Sequence, residues 1–138
     1  MSVKNNRTPR RVLVINDTEE ILELFHEIIE GLGHEMQGRT YAPDDLQQVI
    51  DAKPDLLIID IVLAGREMMG WQLLQKLRMK RETAKLPVIV CTAARIEVQE
   101  QEGWLTEKGV VTVYKPFEVD DLERAITRAL NVADLRPG

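Results

Sequence analysis

Four short stretches of the chain are almost wholly apolar: Val12-Leu13-Val14-Ile15, Leu56-Leu57-Ile58-Ile59, Val88-Ile89-Val90-Cys91 and Val110-Val111-Thr112-Val113-Tyr114. Runs of branched residues with no alternating polar partner suit strands covered by helices on both faces. Between them the apolar positions recur at spacings of three and four. Ile21, Leu24, Phe25, Ile28 and Leu32 form one such stripe, with Glu23, Glu27 and Glu30 off it. Thr18 is placed to cap that helix, and Gly31 and Gly33 to stop it.

His34 to Thr40 is a further, short strand candidate. Pro43 then opens a helix carrying Leu46, Val49 and Ile50 and ending before Lys53-Pro54. Residues 70–80 make a third helix, Leu73, Leu74 and Leu77 inward and Arg78, Lys80 and Arg81 outward. Ala93 to Lys108 carries Ile96, Val98, Trp104 and Leu105 without a clean stripe and is interrupted by Gly103; it is read as one helix. The last helix, near Val119 to Asn131, buries Leu122, Ala125, Ile126, Ala129 and Leu130 behind an acidic first turn that suits the helix dipole.

Strands alternating with helices predict an α/β fold, a three-layer αβα sandwich around a five-stranded parallel sheet with right-handed crossovers. Of the doubly wound orders, 2-1-3-4-5 fits, because strands one, three and four are the most apolar and belong in the middle. The pattern divides the chain into an N-terminal tail at residues 1–10, one domain at 11–131 and a C-terminal tail at 132–138. With 138 residues, no second module is expected to carry an output.

Composition narrows the function. Hydrophobic content of 44% and charged content of 30% are those of an ordinary globular protein, and no apolar run reaches the length of a membrane span or a secretion signal. A cytoplasmic protein is expected. A formal net charge of −5 argues against phosphate-backbone binding, so no nucleic-acid or membrane partner is expected. The single cysteine, Cys91, lies inside an apolar run, which excludes an internal disulfide and reads as a small buried hydrophobe. His26 and His34 have no metal-site spacing, and Trp71, Trp104 and Met68-Met69 read as packing residues.

The chemistry lies at the strand ends. The central strands and the fifth finish at Asn16-Asp17, Asp60, Thr92 and Lys115, and in a parallel sheet all four points fall at the carboxyl edge, where open α/β folds gather ligands. Carboxylates, a hydroxyl and an ammonium converging there match phosphoryl transfer onto the protein itself. Asp60 is the candidate nucleophile, a hard cation such as Mg²⁺ held by oxygen ligands offsets charge, and Thr92 and Lys115 bond the phosphoryl oxygens.

Over about Arg11 to Leu130 the sequence resembles the receiver domains of two-component response regulators. The matching motifs are Val12-Leu13-Val14-Ile15-Asn16-Asp17, Pro54-Asp55-Leu56-Leu57-Ile58-Ile59-Asp60, Val88-Ile89-Val90-Cys91-Thr92-Ala93 and Tyr114-Lys115-Pro116-Phe117. The resemblance implies a CheY-like, flavodoxin-like fold and a stand-alone signalling domain rather than an independent enzyme. By the same resemblance Asp60 looks like the phosphoacceptor charged by a histidine kinase or phosphotransfer protein. Asp17, Asp60 and the backbone carbonyl of Val62 look like Mg²⁺ ligands, with Asn16 holding a metal-bound water. Thr92 looks like the switch hydroxyl and Lys115 like its charge partner. A downstream protein docks on the face built from the fourth helix, fifth strand and last helix; a homodimer is a further possible partner.

Departures from the family pattern have consequences. Receivers usually carry an acidic pair where this chain has Asn16-Asp17, which implies weaker Mg²⁺ binding. Ala64 stands in place of a proline, and the loop after Asp60 is longer than usual, which implies a more mobile loop. Many receivers have an aromatic three residues before the lysine that turns inward with the hydroxyl; here that position is Thr112. Val62 and Ala94 occupy the positions that tune hydrolysis and cannot orient a water. Two rival readings stay open. One is a receiver-like interaction module that is not phosphorylated. The other is a flavin or nucleotide binder, although Asn16-Asp17-Thr18-Glu19-Glu20 lacks the glycines of a phosphate cradle.

Overall fold

The computed structural model describes residues 9–40, 45–62 and 69–134. In chain order the elements are β1 (Arg11–Ile15), α1 (Glu19–Gly31), β2 (Glu35–Arg39), α2 (Asp45–Ala52), β3 (Leu56–Ile59), α3 (Met69–Met79), β4 (Val88–Thr92), α4 (Arg95–Glu100), α5 (Glu102–Glu107), β5 (Val110–Tyr114) and α6 (Val119–Asp134). The five strands form one sheet of order β2-β1-β3-β4-β5, and every neighbouring pair is parallel.

The absence of alternation in the central strands has a direct cause. One face of the sheet presents Leu13, Ile15, Leu57, Ile59, Val88 and Val90 to a core completed by Val49, Leu74, Leu77, Val98 and Leu105 from α2, α3, α4 and α5. The opposite face presents Val12, Val14, Leu56, Ile58, Ile89 and Cys91 to Phe25, Ile28, Ile29, Leu122 and Ile126 from α1 and α6. Each of these side chains stabilises the fold by about 1.5–3 kcal/mol through burial, so no polar residue is tolerated on either face. β2, at the sheet's edge, is mostly exposed and correspondingly polar.

Helix ends follow local chemistry. After α1, Gly33 takes a positive φ of 91°; its N–H donates to the Glu30 carbonyl at 2.9 Å and the His34 N–H to the Ile29 carbonyl at 3.2 Å. This pairing closes a helix on a left-handed glycine. After α2, Lys53 has a φ of 49° and Pro54 follows, so the helix cannot continue.

The structure departs from the sequence pattern in four places. The single helix expected over residues 93–108 is two short helices, α4 and α5, separated at Gln101, whose φ and ψ of −110° and 16° are not helical. The weak stripe had no periodicity to place that break. Leu24 is 36% exposed, and Ile29 completes the inward stripe of α1 with Phe25 and Ile28. Thr18 holds the N-cap position of α1, but its side chain makes no capping bond. α6 runs on to Asp134, past the end expected near Asn131. The Pro43 helix start and the loop positions Ala64 and Met68 lie outside the described residues. Among the described residues, no helix is long and apolar enough to cross a membrane.

Candidate functional site

The register of the sheet assembles the site. Ile15 lies opposite Ile59, so Asn16 and Asp60 leave β1 and β3 side by side at the carboxyl edge. Thr92 lies opposite Tyr114, which puts Lys115 one residue beyond the end of β5, and the Lys115 N–H donates to the Thr92 carbonyl at 2.9 Å. Residues separated by as many as ninety-nine positions thus meet at one sheet edge. The Lys115-Pro116 peptide that follows is cis.

Three of these residues share one local device. The Asn16 Oδ1 accepts the Thr18 N–H at 3.0 Å, the Asp60 Oδ1 accepts the Val62 N–H at 3.0 Å, and the Thr92 Oγ1 accepts the Ala94 N–H at 3.1 Å. At the end of a buried strand the ladder stops, and a short polar side chain bonding the N–H two residues on turns the chain out of the sheet. Asn16, Asp60 and Thr92 are all buried, and Thr92 has no exposed surface. Each of the three thus turns the chain at its strand end and belongs to the cluster as well.

The cluster has a second layer of contacts. Lys115 Nζ donates to Asp60 Oδ2 at 2.8 Å, with side-chain exposures of 24% and 11%. Both carboxylate oxygens of Asp60 thus have a partner, one neutral and one charged. Asp17 lies on the exposed rim immediately after Asn16. Behind the site, Cys91 is buried, and burial pushes its thiol up from 9.0 to about 11, with Lys115 lowering it and Asp60 raising it to lesser degrees.

The sequence marks Gly70 as a glycine that follows Asp60 and opens the third helix, but not the contact it makes. Its N–H donates to the Ile61 carbonyl at 2.9 Å, and a Cβ added to it would lie 1.8 Å from the Asp60 carbonyl oxygen. Only a residue without a side chain lets the first turn of α3 seat directly on the acceptor backbone. A glycine soon after a strand-terminal aspartate was the available signal.

The oxygens this edge carries are of the kind a hard cation takes: the carboxylates of Asp17 and Asp60, the backbone carbonyl of Val62 and the amide oxygen of Asn16, which has one lone pair left after the Thr18 bond. Among the described residues, no three His, Cys, Asp or Glu side chains group closely enough to hold a metal. His26 makes an exposed contact with Glu30 at 3.0 Å, and the His34 Nδ1 accepts the Arg10 N–H at 3.1 Å; neither joins the cluster.

The chain belongs to the response regulator receiver domain family, whose model matches residues 12–127. It is 25% identical over 92% of its length to the DNA-binding dual master transcriptional regulator RpaA of Synechocystis sp., covering 52% of that protein. It is 29% identical over 89% of its length to the phosphate regulon transcriptional regulatory protein PhoB of Rhizobium meliloti, covering 53%. The chain thus spans about half the length of the curated relatives it matches. A CheY-like receiver domain protein from Methanospirillum hungatei shares the fold with a TM-score of 0.78 at 24% identity, over 92% of this chain and 98% of that one. A putative response regulator from Chloroflexus aurantiacus gives 0.76 at 27% identity, over 90% and 99%.

Proposed function

We propose that this receiver takes a phosphoryl group onto Asp60 from a histidine kinase or phosphotransfer protein in the cytoplasm and signals by docking a protein partner. The observation that carries the reading is the Lys115–Asp60 contact at 2.8 Å beside Thr92. An Asp60 Oδ forms the new P–O bond while the bond from phosphorus to the donor's leaving group breaks, the leaving group keeping its electron pair. Lys115, released from Oδ2 as that oxygen is esterified, and Thr92, whose hydroxyl hydrogen is free to donate, then bond the phosphoryl oxygens.

Asp17, Asp60, the Val62 carbonyl and Asn16, through a water, are the residues that would hold Mg²⁺. Bound there, the ion supplies positive charge against the phosphoryl oxygens. Asn16 in place of an acid leaves the pocket one negative charge short, which supports weaker binding.

The docking face is read on β5 and α6. A groove of about 510 Å³ there is lined by Val111, Val113, Tyr114, Phe117, Arg124 and Arg128 among others, and Val111 and Val119 are exposed. Exposed apolar residues flanked by charge suit a protein partner or a second copy of the chain.

The experiment is incubation with acetyl phosphate and Mg²⁺ followed by intact mass measurement. Gain of one phosphoryl group, lost in Asp60→Asn, is expected. The rival reading, an interaction module working without phosphorylation, is favoured by Asn16 and gains if the mass does not change.

A further inference from the structure

Signalling needs a path from the carboxyl edge to the helices beside β5, and the chain has no ring at position 112 to provide one: a half-buried threonine stands there. We infer that the Trp71–Trp104 pair is the joint through which the acceptor backbone at Asp60 and Ile61 and the α4–α5 helices move together. The inference rests on the reading of Asp60 as phosphoacceptor.

The first half of the path is backbone. Gly70 is bonded to Ile61 and packed against the Asp60 carbonyl so closely that no slack separates the acceptor from the first turn of α3. Trp71 is the next residue, 8% exposed, and belongs to the core on that face of the sheet. A shift of Asp60 or Ile61 therefore displaces a large, enclosed ring rather than a surface side chain.

The second half is the ring contact. Trp71 meets Trp104 of α5 edge to face, with centroids 4.9 Å apart and planes at 64°. That geometry is the preferred one for aromatic pairs, so the two rings hold each other beyond simple burial. Besides that contact, α5 is held by Leu105 in the core and by packing on β5. It is six residues long, breaks from α4 at the non-helical Gln101 and ends near Gly109, which has a positive φ of 72°. A short helix between two such breaks follows its side-chain anchors, here Trp104 and the buried Leu105.

α4 carries a matching anchor. The Arg95 guanidinium stacks over the Tyr114 ring at 4.3 Å, and Tyr114 is the neighbour of Lys115. The two short helices are thus tied to the edge at two points, one beside Gly70 and one beside Lys115. Rings at 71, 104 and 114 supply the coupling that position 112 does not.

The full chain, treated with acetyl phosphate and Mg²⁺, is followed by intact mass, by emission from its two tryptophans and by amide exchange across residues 102–108. Phosphorylation is expected to shift the emission and change exchange in α5. Trp104→Leu should gain the same mass at an unchanged rate while the exchange response of α5 shrinks about fivefold or more, and Trp104→Phe, which keeps a ring edge, should restore it. Mass gain with an α5 response equal in wild type and Trp104→Leu overturns the inference and leaves the phosphoacceptor reading standing. No mass gain in the wild type overturns both.

Discussion

Gly70 is seated on Asp60 so closely that any side chain at position 70 would meet the acceptor's own backbone, its Cβ falling 1.8 Å from the Asp60 carbonyl oxygen. Two glycines of this half of the molecule can then be set against each other. Gly70→Ala forces the start of α3 off the Asp60 backbone; overpacking of this kind costs about 1–3 kcal/mol. Gly103, in α5, has open space around the same added atom. Gly103→Ala should instead stabilise by about 0.5–1 kcal/mol, since alanine suits a helix better. Urea denaturation of the two variants checks the opposite signs, and slower labelling by acetyl phosphate in Gly70→Ala alone checks the link to the site.

Asn16→Asp should tighten Mg²⁺ binding. An added charge about 5 Å from a dication is worth roughly 2 to 7 kcal/mol gross at effective dielectrics of 80 down to 20, and desolvation offsets much of it. The aspartate can accept the Thr18 N–H just as the amide does at 3.0 Å, so the turn survives the change. Titration calorimetry should show affinity rising about tenfold or more, equivalent to about 1.4 kcal/mol; an unchanged affinity contradicts the assignment of this edge as the metal site.

Lys115→Gln removes the cation from a carboxylate whose side chain is only 11% exposed. Leaving such a group short of a partner costs about 1–3 kcal/mol. If the cost arises from the pair, Asp60→Asn combined with Lys115→Gln should recover most of it, and a double-mutant cycle in urea measures the coupling.

Cys91 predicts an alkaline weakness. The folded protein raises the thiol from 9.0 to about 11, chiefly by burial, so it holds the proton more tightly than the unfolded chain does. Below pH 9 both states are protonated and the contribution is complete; between about 9 and 11 the unfolded chain ionises first, and stability falls as pH rises. At about 1.4 kcal/mol per unit the loss is a few kcal/mol at most. Cys91→Val should flatten the fall, and iodoacetamide at pH 8 should leave the native thiol unlabelled.

Val62 and Ala94, two residues beyond the acceptor and the hydroxyl, contribute their N–H groups to the turn bonds and have no side-chain group to position a water. The phosphoryl-aspartate should therefore be long-lived. Its decay, followed by intact mass, should quicken in Ala94→Glu, and a wild-type half-life of seconds contradicts the expectation.

Much of this molecule is readable from its residues, because two-sided burial leaves an unbroken mark. The run Leu56 to Ile59 reads as a covered strand, and a parallel sheet then obliges Asn16, Asp60, Thr92 and Lys115 to share an edge. What periodicity does not carry is contact between distant segments. Whether Leu24 or Ile29 turns inward depends on where β2 and α6 approach α1. The break at Gln101 depends on how Val98, Trp104 and Leu105 are received by the core. The Trp71–Trp104 contact joins two segments whose local patterns say only that each ring is apolar.

A sheet in which every ladder is parallel has a kinetic consequence. No two adjacent strands can be joined by a hairpin, so each pairing waits for a crossover of a dozen residues or more to be threaded and closed. β1 has β2 on one flank and β3 on the other, which makes the amino-terminal part, through Ile59, the first that can be completed as the chain leaves the ribosome. Until β4 arrives, the outer flank of β3, with four fully apolar residues, stands unpaired. Nascent chains stalled between β3 and β4 are therefore the ones that stick to one another or to chaperones.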